Sequence, residues 1–63
     1  MLTIGTKFYM SSKTSPIPRL FQYIGQDFEW FDLWCNHIVV EVSTGEISHI
    51  EPEWFNQRKI TLL

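Results

Sequence analysis

A single cysteine, Cys35, stands in a chain of 63 residues, so no internal disulfide can staple the fold. A domain this small buries only about 60% of the surface its unfolded chain exposes. With no staple, large apolar side chains must supply the core. The chain carries them: five Phe, three Trp and two Tyr. Each buries roughly 150–250 Å² when enclosed. So small a core cannot enclose them all, and some must reach the surface. The length supports one domain, residues 1–63, and no second one.

Charge is segregated along the chain. All seven acidic residues, Asp27, Glu29, Asp32, Glu41, Glu46, Glu51 and Glu53, fall between positions 27 and 53. Lys7, Lys13, Arg19, Arg58 and Lys59 flank that stretch. An acidic centre steers basic partners and disfavours phosphate backbones, which need clustered Lys and Arg. The simpler reading of such a stretch is a solvated face that keeps a small domain dissolved. No run approaches the ~18 consecutive apolar residues of a membrane span. A free cysteine and no leader-like apolar run predict a cytoplasmic protein. Met1 and the closing Ile60-Thr61-Leu62-Leu63 read as the two ends of a complete short frame.

Period-two alternation dominates the pattern. Residues 2–10 predict a strand with Leu2, Ile4, Phe8 and Met10 on one face. Residues 11–18, with Pro16 and Pro18, predict a loop. Arg19–Gly25 predicts a second strand, and Gly25-Gln26-Asp27 a turn. Phe28–Asn36 fits a strand or a short helix capped by Asp27, and its aromatic content favours the strand. His37–Ser43 and Glu46–Ile50 predict a hairpin whose turn is closed by Gly45 in the left-handed region. Pro52-Glu53-Trp54-Phe55 predicts one helical or 3₁₀ turn, with Pro suited to its first position. Arg58–Leu63 predicts a closing strand. The fold expected is mainly β: a five- to six-stranded, partly open barrel with one short helical turn near the C-terminus.

Three local features give this order a family likeness: Glu29-Trp30-Phe31, Thr44-Gly45, and Ile50-Glu51-Pro52-Glu53-Trp54-Phe55. Together with the long loop at 11–18, the chain resembles an SH3-like barrel. The resemblance implies paired aromatics opening the central strand, a distal hairpin at Gly45 and a proline-led 3₁₀ turn before the last strand. It also implies a groove formed by Trp30, Pro52 and Phe55, which in peptide-binding members cradles proline-rich ligands. The loop at 11–18 departs from those members: it carries Lys13 and no acidic residue to catch a ligand Arg.

No constellation of catalytic type emerges. Cys35, His37, His49 and Glu51 match no zinc spacing, and no metal or other cofactor is expected. Cys35 and His37 have no third group to orient the His as a base. Glu51 and Glu53 are paired carboxylates with no acid–base motif around them. Gly5, Gly25 and Gly45 stand alone and form no phosphate loop. The reading that follows is a non-enzymatic protein-binding module, of which an inhibitor or accessory subunit is one form. Its expected contact residues are Trp30, Trp34, Pro52, Trp54 and Phe55, with Glu51 and Glu53 beside them. Two alternatives stay open. One is a nucleic-acid-binding barrel with stacking aromatics. The other is a homo-oligomeric structural subunit using an open sheet edge or the apolar tail.

Overall fold

A computed structural model describes the backbone of residues 2–29 and 34–63 and the side chains of 2–27 and 36–63. Five antiparallel strands form one sheet, in the order β4-β3-β2-β1-β5. They are β1 (Lys7–Ser11), β2 (Arg19–Glu29), β3 (Trp34–Glu41), β4 (Ile47–Ile50) and β5 (Lys59–Leu62). A single helical turn, α1 (Pro52–Asn56), joins β4 to β5. The sheet curls without closing, since no ladder joins β4 to β5. Among the described residues no helix is long and apolar enough to cross a membrane.

The long strand β2 is the spine. Its first part pairs with β1, Lys7 opposite Gln22 and Met10 opposite Arg19. From Phe21 onward it pairs with β3 on its other side, Phe21 opposite Glu41 to Glu29 opposite Trp34. The register slips between Tyr23 and Gly25, leaving Ile24 as an extra residue. Gly25 takes a φ of 146°, which glycine alone adopts readily. This β-bulge bends the strand, so its two halves serve two walls of the fold. The turn expected at Gly25-Gln26-Asp27 is therefore absent. Pairing of Gln26 and Asp27 with His37 and Asn36 carries the strand straight through.

The N-terminal strand is shorter than its alternation predicts. Thr6 N–H bonds the Thr3 carbonyl at 3.0 Å, and Gly5 sits between them at φ 92°. That turn removes residues 2–6 from the strand and leaves Ile4 exposed, while Phe8 and Met10 are buried as their alternation requires. Of the stretch 28–36, residues 28–29 and 34–36 are strand, and 30–33 lie outside the described residues. The hairpin at Gly45 forms as expected. Gly45, at φ 75°, donates its N–H to the Glu41 carbonyl at 2.8 Å. Glu41 N–H in turn bonds the Glu46 carbonyl at 2.9 Å.

The core sits inside the curl. Phe8, Met10, Tyr23, Val39, Ile50 and Phe55 are buried, with Leu2, Phe21 and Ile60 packed against them. Cross-strand pairing explains the set. Phe8 stands opposite Phe21 on one side and Leu62 on the other, so all three point inward. The Phe8 and Phe21 rings stack with centroids 6.3 Å apart.

Candidate functional site

The turn α1 decides which aromatics reach solvent. Pro52 occupies the start of the turn, where a missing N–H costs nothing, and Glu51 precedes it in extended conformation. Phe55 N–H bonds the Glu51 carbonyl at 2.9 Å and completes the turn. Neighbouring side chains on such a turn diverge by about 100°. Phe55 therefore enters the core while Trp54 stays outside, 59% exposed. The Phe55 ring meets Phe8 edge-on at 6.3 Å and stacks on His37 at 4.3 Å. Pro52 is half-buried, and Glu51 and Glu53 are exposed. The side chains of Trp30 and Trp34 lie outside those described, so the grouping expected of them with Pro52–Phe55 does too.

His37 borders the core through Phe55 and Tyr23. Its Nδ1 lies 2.7 Å from the Tyr23 hydroxyl, a distance at which the hydroxyl satisfies either ring tautomer. Burial removes water from the ring and lowers its pKa below the ordinary 6.5. His49 stands apart from it, exposed, with its Nδ1 3.7 Å from an Asp27 carboxylate oxygen. Among the described residues no group of three His, Cys, Asp or Glu side chains is placed to hold a metal ion. The Cys35 side chain is not among them.

Two depressions flank α1. The larger, about 820 Å³, is an apolar groove lined by Leu2, Ile4, Tyr23, Phe55, Ile60 and Leu62 among others, with His37 also on its wall. It lies where the sheet fails to close, and it leaves Ile4 76% and Leu62 62% exposed. Leu62 shares the inward face by register yet stays largely exposed among the described residues. The smaller, about 440 Å³, is a cleft lined by Lys13, Thr14, Trp54, Gln57 and Arg58. Comparison with protein-family models, curated proteins and solved structures finds no match to this chain.

Local structure places each wall of the smaller cleft. Ser12 N–H bonds the Ser15 carbonyl at 2.9 Å, and Ser15 N–H bonds the Ser12 hydroxyl at 3.1 Å. This tight turn holds Lys13 and Thr14 at its tip. On the other side, Gln57 N–H and Arg58 N–H bond the Trp54 and Phe55 carbonyls, each at 3.2 Å. Arg58 thus follows directly from the end of α1. Neither Lys13 nor Arg58 is among the contact residues that the sequence predicts. The tertiary approach of the 11–18 loop to α1 is what joins them.

The acidic stretch is not one uniform field. Glu41 is paired with Arg19, 3.4 Å away, and Asp27 lies beside His49. Glu46, Glu51 and Glu53 are exposed around β4 and α1, with no ion pair among the described residues.

Proposed function

We propose that this chain is a non-enzymatic protein-binding module of the cytoplasm, built as an SH3-like barrel, whose contact surface is centred on Trp54. The barrel reading draws support from the order of elements: a long loop after β1, a hairpin turned at Gly45, and a proline-led helical turn before the last strand. The bend in β2 adds the curvature such a barrel needs.

The observation that carries the functional reading is the position of Trp54. Its indole is exposed, yet the turn that carries it is anchored by Phe55 in the core. A Trp presented from an anchored turn offers large contact area at the cost of ordering only two side-chain torsions, which is one reason Trp is enriched in binding hot spots. Glu51 and Glu53 flank it and would meet basic groups on the partner.

Co-purification from native lysate with mass spectrometry would identify the partner, and titration with the purified partner would supply the test. Trp54→Ala should weaken binding by about 2 kcal/mol or more. Its thermal midpoint should stay near that of the parent, because the ring is outside the core. Phe55→Ala should instead cost about 3–5 kcal/mol of folding free energy. Unchanged partner affinity in Trp54→Ala would remove the basis for this reading.

A further inference from the structure

Lys13 and Arg58 are brought to one cleft beside the exposed Trp54 from opposite ends of the chain. Neither forms an ion pair among the described residues. Arg58 is half-buried, and none of the described carboxylates pairs with it. A guanidinium partly withdrawn from water is best satisfied by a fork of hydrogen bonds to an anion. Thr14 and Gln57 on the same walls add neutral donors.

We propose that this cleft seats an acidic side chain of a protein partner, its carboxylate held between Arg58 and Lys13 and the adjoining residue resting on the Trp54 ring. The proposal rests on the protein-binding reading above and names the chemistry of one partner contact. A polypeptide is favoured over a nucleic-acid strand by what surrounds the cleft. Glu53 precedes Trp54 and Glu51 lies just beyond, both exposed. A strand with a phosphate at every nucleotide would need a track of cations and would meet these carboxylates instead. One carboxylate needs only the two cations present. A partner suited to the whole surface is therefore of mixed sign, acidic at the cleft and basic opposite Glu51 and Glu53.

The test uses an N-acetylated hexaglutamate peptide and the full chain, followed by two-dimensional amide and indole NMR at low salt. The peptide should shift the Trp54 indole N–H and the amides of Lys13, Thr14, Gln57 and Arg58 saturably, and added salt should weaken the effect. Lys13→Glu, an exposed loop substitution, should reduce the affinity about fivefold or more without disturbing the remaining spectrum. Arg58→Gln should do the same, and Lys13→Glu stands alone if Arg58→Gln unfolds the chain. No shift at millimolar peptide, shifts centred elsewhere, or unchanged affinity in Lys13→Glu would each overturn the proposal. Tighter binding at this cleft by an eight-residue oligothymidylate or by hexalysine would overturn it as well. The two readings fail separately. If Trp54→Ala loses the natural partner and Lys13→Glu keeps it, only the acidic seat falls. If hexaglutamate seats as described while Trp54→Ala keeps the partner, the protein-binding role of Trp54 falls.

Discussion

His37 carries the main titration consequence among the described residues. Its ring is stacked on Phe55, bonded to Tyr23 and shifted by burial below its ordinary pKa of 6.5. The unfolded chain therefore holds a proton on this residue at pH values where the folded chain does not. Its contribution to stability is full above pH 6.5 and is lost as pH falls through the lower folded value. One such group gives a slope of at most about 1.4 kcal/mol per pH unit. Urea midpoints measured from pH 7 to pH 5 should fall for the parent chain, and His37→Gln should show a flatter profile over that interval. An equal slope in both would place the pH sensitivity elsewhere. Phe8 and Val39, fully enclosed, set the other limit at this scale: each is felt as packing alone.

At the scale of elements, the hairpin between β3 and β4 depends on one backbone angle. Gly45 at φ 75° has open space around its Cα, so a larger side chain would suffer from conformation and not from collision. Gly45→Ala should cost about 1–2 kcal/mol, and Gly45→Asn less, because Asn tolerates the left-handed region. Chemical denaturation of the two variants would check the ranking, and equal losses would contradict it. This hairpin was legible in the chain because Thr44-Gly45 between alternating apolar runs has few other readings. So was α1, since Pro52 can start a helical turn and the divergence of Trp54 from Phe55 follows from geometry. The bulge at Ile24–Gly25 was not legible. Gly25-Gln26-Asp27 has the composition of a turn, and only the facing residues of β3 turn it into strand. The early break at Thr3–Thr6 was hidden for a related reason: Leu2, Ile4 and Phe8 share one parity whether or not a turn intervenes. For the site, Trp54 could be found from its neighbour. The Lys13–Arg58 juxtaposition depends on which loop packs beside α1, a tertiary fact with no local signal.

For the molecule as a whole, the sheet's failure to close leaves an apolar mouth. The groove of about 820 Å³, with Leu62 on its wall and Leu63 74% exposed nearby in sequence, is dry-walled but open to water. Exposed apolar surface of that kind takes up hydrophobic dyes. The native protein should enhance anilinonaphthalene sulfonate fluorescence while still unfolding cooperatively, and Leu62→Glu should abolish most of the enhancement. Undiminished dye binding in Leu62→Glu would locate the apolar surface elsewhere.

The pairing of β1 with β5 also has a kinetic side. Phe8 faces Leu62 and Met10 faces Ile60, so this ladder joins nearly opposite ends of the chain. The β3–β4 hairpin, by contrast, closes over a few residues. Loop closure of the longer kind is entropically the slower event, and its contacts tend to form after the rate-limiting barrier. Truncating Ile50 to Ala should therefore slow refolding, whereas Ile60→Ala should chiefly accelerate unfolding. Stopped-flow measurements on both would read the order of assembly directly, and a refolding rate cut as deeply by Ile60→Ala as by Ile50→Ala would reverse it. In the order expected, β5 is the last strand to dock and the first to leave. The groove it borders should then open before the rest of the sheet unfolds, and hydrogen exchange in Lys59–Leu62 should run ahead of exchange in β2 and β3.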